Sequence, residues 1–262
     1  MQNLLKESQI YESACEFACL YWLDEKRSGL EASCDILDAY EASRLDRYRF
    51  PKDRSRFFFG RLIVRSVLAD VLGCHPRNVP LRVESGRPFL DPCVNLDIHF
   101  SISHAADAVL VSFRRECETG IDIERLRTFE NIDDVARRVM TQREHEHYRS
   151  LHGADAVSAF FRLWTRKEAV LKLMGTGFSV PPDEVSTSLD ADGKWFAHCR
   201  GVDYTLHDGA FEYAGQRVNW AHAARGDVYS EIPLFNVEFT NSQLVSDIRN
   251  HGESPLTLRI VP

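Results

Sequence analysis

The chain has 262 residues, of which 44% are hydrophobic and 27% charged, and its net charge is −7, a composition typical of a globular protein. No apolar run approaches the roughly 20 residues of a membrane helix, and the first residues lack a secretory signal, so we expect a cytoplasmic protein without membrane attachment. Seven cysteines without a CxxC pair or zinc-finger spacing argue against a disulfide framework.

A basic segment covers residues 44–65. It has eight Arg or Lys against two Asp, which gives a local charge of +6 in an acidic chain. A general nucleic-acid binder is more often basic overall, so the segment favours capture of a small polyanion or of an acidic protein partner. The alternative is a solvated, arginine-rich helix face.

Residues 55–72 have apolar side chains at helical spacing and are followed by Gly73, so they predict a helix with a glycine cap. A strand, turn and strand follow over residues 81–90. Further strands are predicted at residues 94–103, 108–113 and 119–123. Their connections are too short for crossover helices, which predicts antiparallel pairing.

The pattern turns helical from residue 131. Thr141 and Glu144 have the spacing of a capping box that begins a helix. A longer helix is predicted over residues 159–174, ending at Gly175. Strands are predicted at residues 185–189, 195–198 and 218–221, and from residue 236 the periodicity is too weak for a prediction.

Two short segments predict a metal-dependent site. In the predicted strand Gly120 to Glu124, Asp122 and Glu124 point to one side while the isoleucines between them point to the core. In the helix, Trp164, Glu168 and Lys172 are four apart and share one face. Three carboxylates on rigid elements suit a hard divalent cation such as Mg²⁺, whose other ligands are usually water and substrate phosphates. The alternatives are a solvated strand face and an ordinary helix salt bridge.

Matching residues recur at an offset of 102. The pattern predicts two similar α+β halves packed together, with one active site at the seam because only the second half has Glu168 and Lys172. We place the halves at residues 1–117 and 118–235, with a C-terminal extension over 236–262. The matches are Phe58-Phe59 with Phe160-Phe161, Arg65 with Lys167, Gly73 with Gly175, Pro80 with Pro182 and Val83 with Val185.

The two motifs, Gly120 to Glu124 and Trp164 to Lys172, resemble the signature motifs of the 4′-phosphopantetheinyl transferases of the larger surfactin-synthetase-activating (Sfp) type. The resemblance extends over roughly residues 44–185 through Gly60 to Arg65, Gly86 to Pro88 and Phe100 to His104. It implies an α+β fold whose two similar halves are related by pseudo-twofold symmetry.

The resemblance also implies a reaction. A serine of an apo acyl or peptidyl carrier protein would attack the β-phosphate of coenzyme A, giving the holo carrier and 3′,5′-ADP. The expected cofactor is Mg²⁺, with Mn²⁺ as a substitute, and the expected state is a monomer. The carrier and pathway remain open.

Site residues follow from the same resemblance. Asp122, Glu124 and Glu168 would hold the metal, and Glu168 would be the base toward serine, directly or through water. Lys172 would assist the departing nucleotide, and Lys167 would also neutralise phosphate charge. The nucleotide would be contacted by Arg44, Arg56, Arg87, Ser103 and His104, with Arg87 at a position where the family often has Lys.

Two alternatives are kept. One is a non-catalytic module that binds coenzyme A or a nucleotide. The other is a Mg²⁺-dependent phosphodiesterase that needs no carrier protein.

Overall fold

The computed structural model describes residues 16–23, 35–176, 179–226, 232–241 and 256–261. In these ranges the chain forms helices and sheets, so the predicted α+β class is confirmed. The helices are α1 (Ala39–Leu45), α2 (Pro51–Leu72), α3 (Ile132–Val139), α4 (Gln142–Arg149) and α5 (Gly153–Met174). The first six strands are β1 (Glu16–Trp22), β2 (Leu81–Glu84), β3 (Arg87–Leu90), β4 (Ile98–Ala105), β5 (Ala108–Arg115) and β6 (Thr119–Arg125). The others are β7 (Ser186–Leu189), β8 (Trp195–Cys199), β9 (Val202–Tyr213), β10 (Gln216–Arg225), β11 (Leu234–Asn241) and β12 (Leu256–Val261).

The fold contains two five-stranded sheets. Their strand orders are β12-β11-β1-β5-β4 and β6-β10-β9-β8-β7, and β2 and β3 form a separate hairpin. The predicted antiparallel pairing of β2 with β3 and of β4 with β5 is confirmed. Parallel pairing joins β11 to β1, so a strand from the late part of the chain completes the first sheet. The division into residues 1–117, 118–235 and 236–262 stays a prediction.

The seam between the sheets is closed by serine hydroxyls. β4 and β6 are edge strands of different sheets. On β4, Ser101 Oγ accepts a hydrogen bond from the backbone N–H of Ile121 on β6, with an N to O distance of 3.2 Å. Ser103 Oγ accepts one from the backbone N–H of Ile123 at 3.3 Å. Side chains thus take the place of a backbone ladder, and the edge of each sheet is covered by the other.

Both long helices end as predicted. α2 and α5 are each 22 residues long, and Gly73 and Gly175 after them have left-handed φ angles of 63° and 66°. α2 begins four residues earlier than predicted because Pro51 is a favourable first helical residue. The capping box of Thr141 and Glu144 at the start of α4 is confirmed in both directions.

Each half has its own buried cationic side chain, which binds the loop that follows the long helix of that half. In the first half, Arg65 donates to the carbonyls of Pro76 and Val79 at 2.9 and 3.0 Å and pairs with Glu41 at 2.5 Å. In the second half, the Lys167 ammonium donates to the carbonyls of Pro182 and Val185 at 3.0 and 2.6 Å. It pairs with Glu144 at 2.7 Å.

These equivalent bonds correct part of the predicted repeat. The offset of 102 holds for the helices and their glycine caps, but the partners of Pro182 and Val185 are Pro76 and Val79. The predicted pairings with Pro80 and Val83 are therefore wrong. The reason is that the loop after α5 is four residues longer than the loop after α2, which raises the offset to 106.

Five cysteines in the described ranges, namely Cys19, Cys74, Cys93, Cys117 and Cys199, are free thiols. Cys15 and Cys34 lie outside the described residues. No helix in the described part of the chain has the length and apolarity needed to cross a bilayer.

Gly120 allows α5 to lie directly on β6. A Cβ at this position would lie 2.0 Å from the carbonyl oxygen of Ala169 and 2.6 Å from the backbone nitrogen of Leu173. These are backbone atoms of a buried helix and cannot move aside singly. Only glycine therefore permits this contact, which sets α5 beside the acidic residues of β6.

The Lys167 bonds predict an asymmetric response to substitution. Lys167→Met should lower the free energy of unfolding by about 3–5 kcal/mol, because it leaves Glu144 and two carbonyls without their buried cation. Lys167→Arg should retain most of the stability, since Arg65 makes the same set of bonds in the other half. Urea unfolding followed by circular dichroism measures both, and equal losses in the two variants would contradict the shared role.

The Gly120 contact predicts that Gly120→Ala lowers the free energy of unfolding by at least about 2 kcal/mol, since backbone must shift to admit the methyl group. The control is Gly60→Ala, where the nearest atom is a side-chain methyl of Ile102 at 3.2 Å and alanine favours the helix. This variant should lose less than about 1 kcal/mol. Chemical denaturation compares the two variants, and similar losses would show that the helix is not held by this contact.

Candidate active site

A pocket of about 510 Å³ lies at the predicted seam, which is within the usual size range for small-molecule sites. Its walls come from α2, the β2–β3 hairpin, β4 and α5, so both halves contribute. The lining includes six of the residues predicted to act on the substrate, namely Arg44, Arg56, Arg87, His104, Glu168 and Lys172.

Asp122 is held beside this pocket by two donors. Its Oδ1 accepts from Ser103 Oγ at 2.8 Å and from Lys172 Nζ at 2.7 Å, and Lys172 also donates to Ser103 Oγ at 2.8 Å. The Asp122 residue is 4% exposed, and its Oδ2 is buried with no hydrogen-bond partner among the described residues. A buried carboxylate oxygen without a donor is costly, so this atom is suited to a cation.

The acidic residues of the site raise one another's pKa values. Burial raises the pKa of Glu168 to about 7, and the charges of Asp122 and Glu124 add to the shift while Lys172 opposes it. Burial also raises the pKa of Glu124, with a further contribution from Asp122. The indole N–H of Trp164 donates to Glu124 and partly offsets this rise. Clustered carboxylates that raise one another's pKa values are expected where a cation binds.

The three acids do not form a closed ligand cluster. Across the ranges described above, no group of three or more His, Cys, Asp or Glu side chains is arranged to hold a metal ion. Lys172 Nζ donates a hydrogen bond to Asp122 Oδ1, and Asp122 Oδ2 has no hydrogen-bond donor among the described residues. The chemistry of the donor set fits a divalent cation, and the metal role of Asp122, Glu124 and Glu168 stays a prediction.

Arg56 and His104 meet at the end of β4. Arg56 donates to the carbonyl of Ala106 from Nε at 3.0 Å and pairs with Asp53 at 2.9 Å. Partial desolvation and the charges of Arg56 and Lys172 lower the pKa of His104, which favours a neutral imidazole at neutral pH.

Arg87 reaches from β3 across the seam to the end of α5. Its Nη1 lies 3.4 Å from the carbonyl oxygen of Leu173, and a Cβ on Gly175 would lie 2.8 Å from the same nitrogen. Burial lowers the pKa of Arg87, and Glu118 opposes the shift. The guanidinium is therefore held at the pocket wall by the turn that caps α5.

One predicted coenzyme contact is corrected, and a second stays a prediction. Lys167 is wrong as a phosphate ligand, because its ammonium is fully buried and all three N–H groups are used by Pro182, Val185 and Glu144. The Ser103 hydroxyl bonds to Asp122 and Lys172 and is not among the residues that line the pocket, so its contact with the nucleotide stays a prediction. His104, the next residue, lines the pocket.

The sequence prediction missed other pocket residues. These are Arg61, Tyr48 and Phe57. Trp164, which was expected to share a helix face with Glu168 and Lys172, also lines the pocket and bonds to Glu124. A signal for Arg61 was present, since it lies four residues after Phe57 on α2 and both share one helix face.

Family comparisons agree with the motifs. The family profile described as the 4′-phosphopantetheinyl transferase superfamily matches residues 118–223, and the profile described as 4′-phosphopantetheinyl transferase, N-terminal, matches residues 22–115. The 4′-phosphopantetheinyl transferase HetI of Nostoc sp. is 37% identical over 159 residues, which are 60% of this chain and 67% of that protein. The 4′-phosphopantetheinyl transferase Sfp of Bacillus subtilis is 28% identical over 149 residues, or 56% of this chain and 64% of its own length.

A solved holo-(acyl-carrier-protein) synthase from Bacillus anthracis, in complex with CoA (3′,5′-ADP), aligns with 42% of this chain and 96% of its own. The identity is 21% and the TM-score 0.35. The alignments span about two thirds of the two relatives named above. The chain belongs to the 4′-phosphopantetheinyl transferase superfamily, and is thus an enzyme of the phosphopantetheinyl transferase class.

The raised pKa of Glu168 predicts a pH-dependent stability difference. The folded protein binds this proton more tightly than the unfolded chain, where the ordinary value is 4.5, so stability falls as the pH rises from about 4.5 to about 7. Glu168→Gln removes this dependence. At pH 8 the variant should be more stable than the parent by about 1–2 kcal/mol, a value reduced for partial solvent exposure, and at pH 4 the two should be nearly equal.

Urea unfolding in EDTA at pH 4 and pH 8 measures this difference. The control is Glu146→Gln on the exposed face of α4, which should show no change between the two pH values. A stability difference for Glu168→Gln that is the same at both pH values would contradict a raised pKa.

Proposed function

We propose that this protein transfers the 4′-phosphopantetheine group of coenzyme A to a serine of an apo acyl or peptidyl carrier protein. The serine Oγ forms a bond to the β-phosphorus, the bond from that phosphorus to the bridging oxygen breaks, and 3′,5′-ADP leaves. The main support is one pocket lined by Glu168, Lys172 and several arginines, with the buried Asp122 bonded to Lys172 beside it, in a chain of this superfamily.

Asp122, Glu124 and Glu168 would hold Mg²⁺, or Mn²⁺ in its place, and the orphaned Oδ2 of Asp122 supports that assignment. When bound, the ion would neutralise charge on the diphosphate. Phosphoryl-type transfer depends chiefly on alignment and charge neutralisation, which suits a site built from fixed charges.

Glu168 is the base in this proposal. Its carboxylate would accept the serine proton on an Oε atom, directly or through water. It lines the pocket on the same helix face as Lys172, so the base and the cation meet the same substrate.

Lys172 assists the leaving nucleotide. Its Nζ is oriented by Asp122 and Ser103, while the side chain is 31% exposed and lines the pocket. The ammonium is thus fixed in direction and still reachable by a phosphate oxygen. Arg44, Arg56, Arg87 and His104 would bind the rest of the nucleotide, since guanidinium groups suit phosphate oxygens.

The remaining parts of the proposal are the partners and the location. We infer a monomer that works in the cytoplasm on coenzyme A and an acidic carrier protein, without nucleic acid. Sedimentation of the purified chain tests the monomeric state, and fractionation of the cells that make it tests the cytoplasmic location.

One assay separates the proposal from its alternatives. The protein is incubated with coenzyme A, Mg²⁺ and an apo carrier, and mass spectrometry follows the carrier. Addition of one phosphopantetheine group supports transfer. Release of 3′,5′-ADP with an unmodified carrier would favour the phosphodiesterase, and binding of coenzyme A without either product would favour the binding module.

Asp122→Ala and Glu168→Gln should each lower the turnover number in this assay by at least about 10², as expected for loss of a metal ligand or a base. Glu146→Gln, an exposed acid on α4, is the control and should keep normal turnover. Near-normal turnover of either site variant at saturating Mg²⁺ would remove that residue from the mechanism.

A further inference from the structure

Asn219 on β10 has a buried side-chain amide without hydrogen bonds. The residue is 1% exposed, and its Oδ1 and Nδ2 are both buried with no bond to any described residue. Nearly all buried polar side chains in proteins are hydrogen-bonded, and an amide without partners destabilises the fold. No step of the proposed transfer uses this group, so its presence in the strand needs an explanation.

Asn219 lies on the side of its sheet that α5 covers. Ala221 and Ala223 on the same strand belong to the apolar core beneath α5. Val218 and Trp220 pack in a different core, on the opposite side. Because side chains alternate along a strand, Asn219 shares the face of the two alanines. Packing against the helix at this point uses small apolar side chains, and it does not call for an amide.

The residue opposite Asn219 on the neighbouring strand is Glu124. The antiparallel register of β10 with β6 pairs Asn219 with Glu124 and Ala221 with Asp122. Directly opposed residues share one face of the sheet, with Cβ atoms about 4.5–5.5 Å apart. At that separation an amide and a carboxylate can form a hydrogen bond by rotation of their side chains alone. The backbone of both strands can stay in place.

The amide acts on a neighbouring side chain and not on a substrate. Both of its polar atoms are buried, and Asn219 is not among the residues that line the pocket. Two residues lie opposite it in register, Glu124 on β6 and Ala210 on β9. Alanine has no polar side-chain atom, so Glu124 is the partner that the sheet offers.

Glu124 can accept another donor. The indole N–H of Trp164 on α5 already donates to it, and an ionised carboxylate has about four acceptor positions. A second donor from β10 would hold the carboxylate from the sheet while Trp164 holds it from the helix. A carboxylate that is fixed by two donors is preorganised for a cation, which then binds to the remaining acceptor positions.

We propose that Asn219 is a positioning residue of the metal site, whose Nδ2 donates to the Glu124 carboxylate and orients it toward the cation. This rests on the proposed function, in which Asp122, Glu124 and Glu168 hold the ion. Hydrogen bonds of this kind orient ligating carboxylates in metal sites, and their loss typically weakens metal affinity by about 10- to 100-fold.

The test uses Mn²⁺ as the probe, because its electron paramagnetic resonance signal reports the free ion during a titration of the full chain. Asn219→Ala removes the donor for Glu124, so Mn²⁺ should bind about 10- to 100-fold more weakly than to the parent. Asp122→Ala identifies the site, since loss of a proposed metal ligand should weaken the same binding at least as much. If Asn219→Ala does not fold by circular dichroism, Asn219→Leu, which keeps the branched shape, takes its place.

A second pair of variants tests whether Asn219 acts through Glu124. In a Glu124→Gln background, adding Asn219→Ala should change the Mn²⁺ affinity by less than about 2-fold, because the carboxylate that the amide orients is already absent. Independent effects would add instead. A loss of about 10-fold or more in both backgrounds would show that Asn219 acts only through the packing of β10, and would overturn the positioning role.

Gln216→Ala is the matched control. It removes an amide from the first residue of the same strand, and its Mn²⁺ affinity should equal that of the parent. Unchanged affinity in Asn219→Ala, or equal losses in Asn219→Ala and Gln216→Ala, would overturn the assignment.

Failure of the proposed function gives a different result. If Asp122→Ala binds Mn²⁺ as tightly as the parent, the acids do not hold the ion, and the role of Asn219 is refuted with them. A parent that binds Mn²⁺ at these acids and leaves an apo carrier unmodified would refute transfer, while weaker binding by Asn219→Ala would still support the positioning role. Transfer by the parent with an unchanged Mn²⁺ affinity in Asn219→Ala would refute the positioning role alone.

Discussion

The contact of α5 with β6 at Gly120 is the constraint on which the candidate active site depends. Because no side chain separates helix from strand, Glu168 and Lys172 lie close to Asp122, and the Lys172 ammonium reaches both Asp122 and Ser103. Ser103 in turn receives the N–H of Ile123 across the seam. One glycine thus links helix packing, the closure of the two sheets and the position of the charged groups.

The sequence was informative where local rules decide the structure. Glycine caps fixed the ends of α2 and α5, the Thr141 capping box fixed the start of α4, and alternation in β6 placed Asp122 and Glu124 correctly relative to the core isoleucines. Each of these features depends on neighbours within about four residues, so a single sequence contains the relevant information.

The sequence was least informative where the partner of a residue is far along the chain. Lys167 lies within a motif that suggests phosphate contact, but its buried bonds to Pro182 and Val185 depend on how the following loop folds back. β9 and β11 were not predicted, because their pairing with β10 and β1 outweighs weak local patterns. The same reason applies to Arg61, whose pairing with Glu41 depends on α1 lying beside α2 and is shared with Arg65.

The return of β11 to β1 has a consequence for biosynthesis. Cys19 and Phe235 are partners in one parallel pairing, with more than 200 residues between them. When the nascent chain has emerged from the ribosome as far as residue 226, it contains the long helices α2 and α5 and every strand of the sheet that runs from β6 to β7. At that stage one side of β1 still has no neighbouring strand. The first sheet is thus completed last, and the long separation of its strands favours slow maturation, with an open strand edge exposed until then.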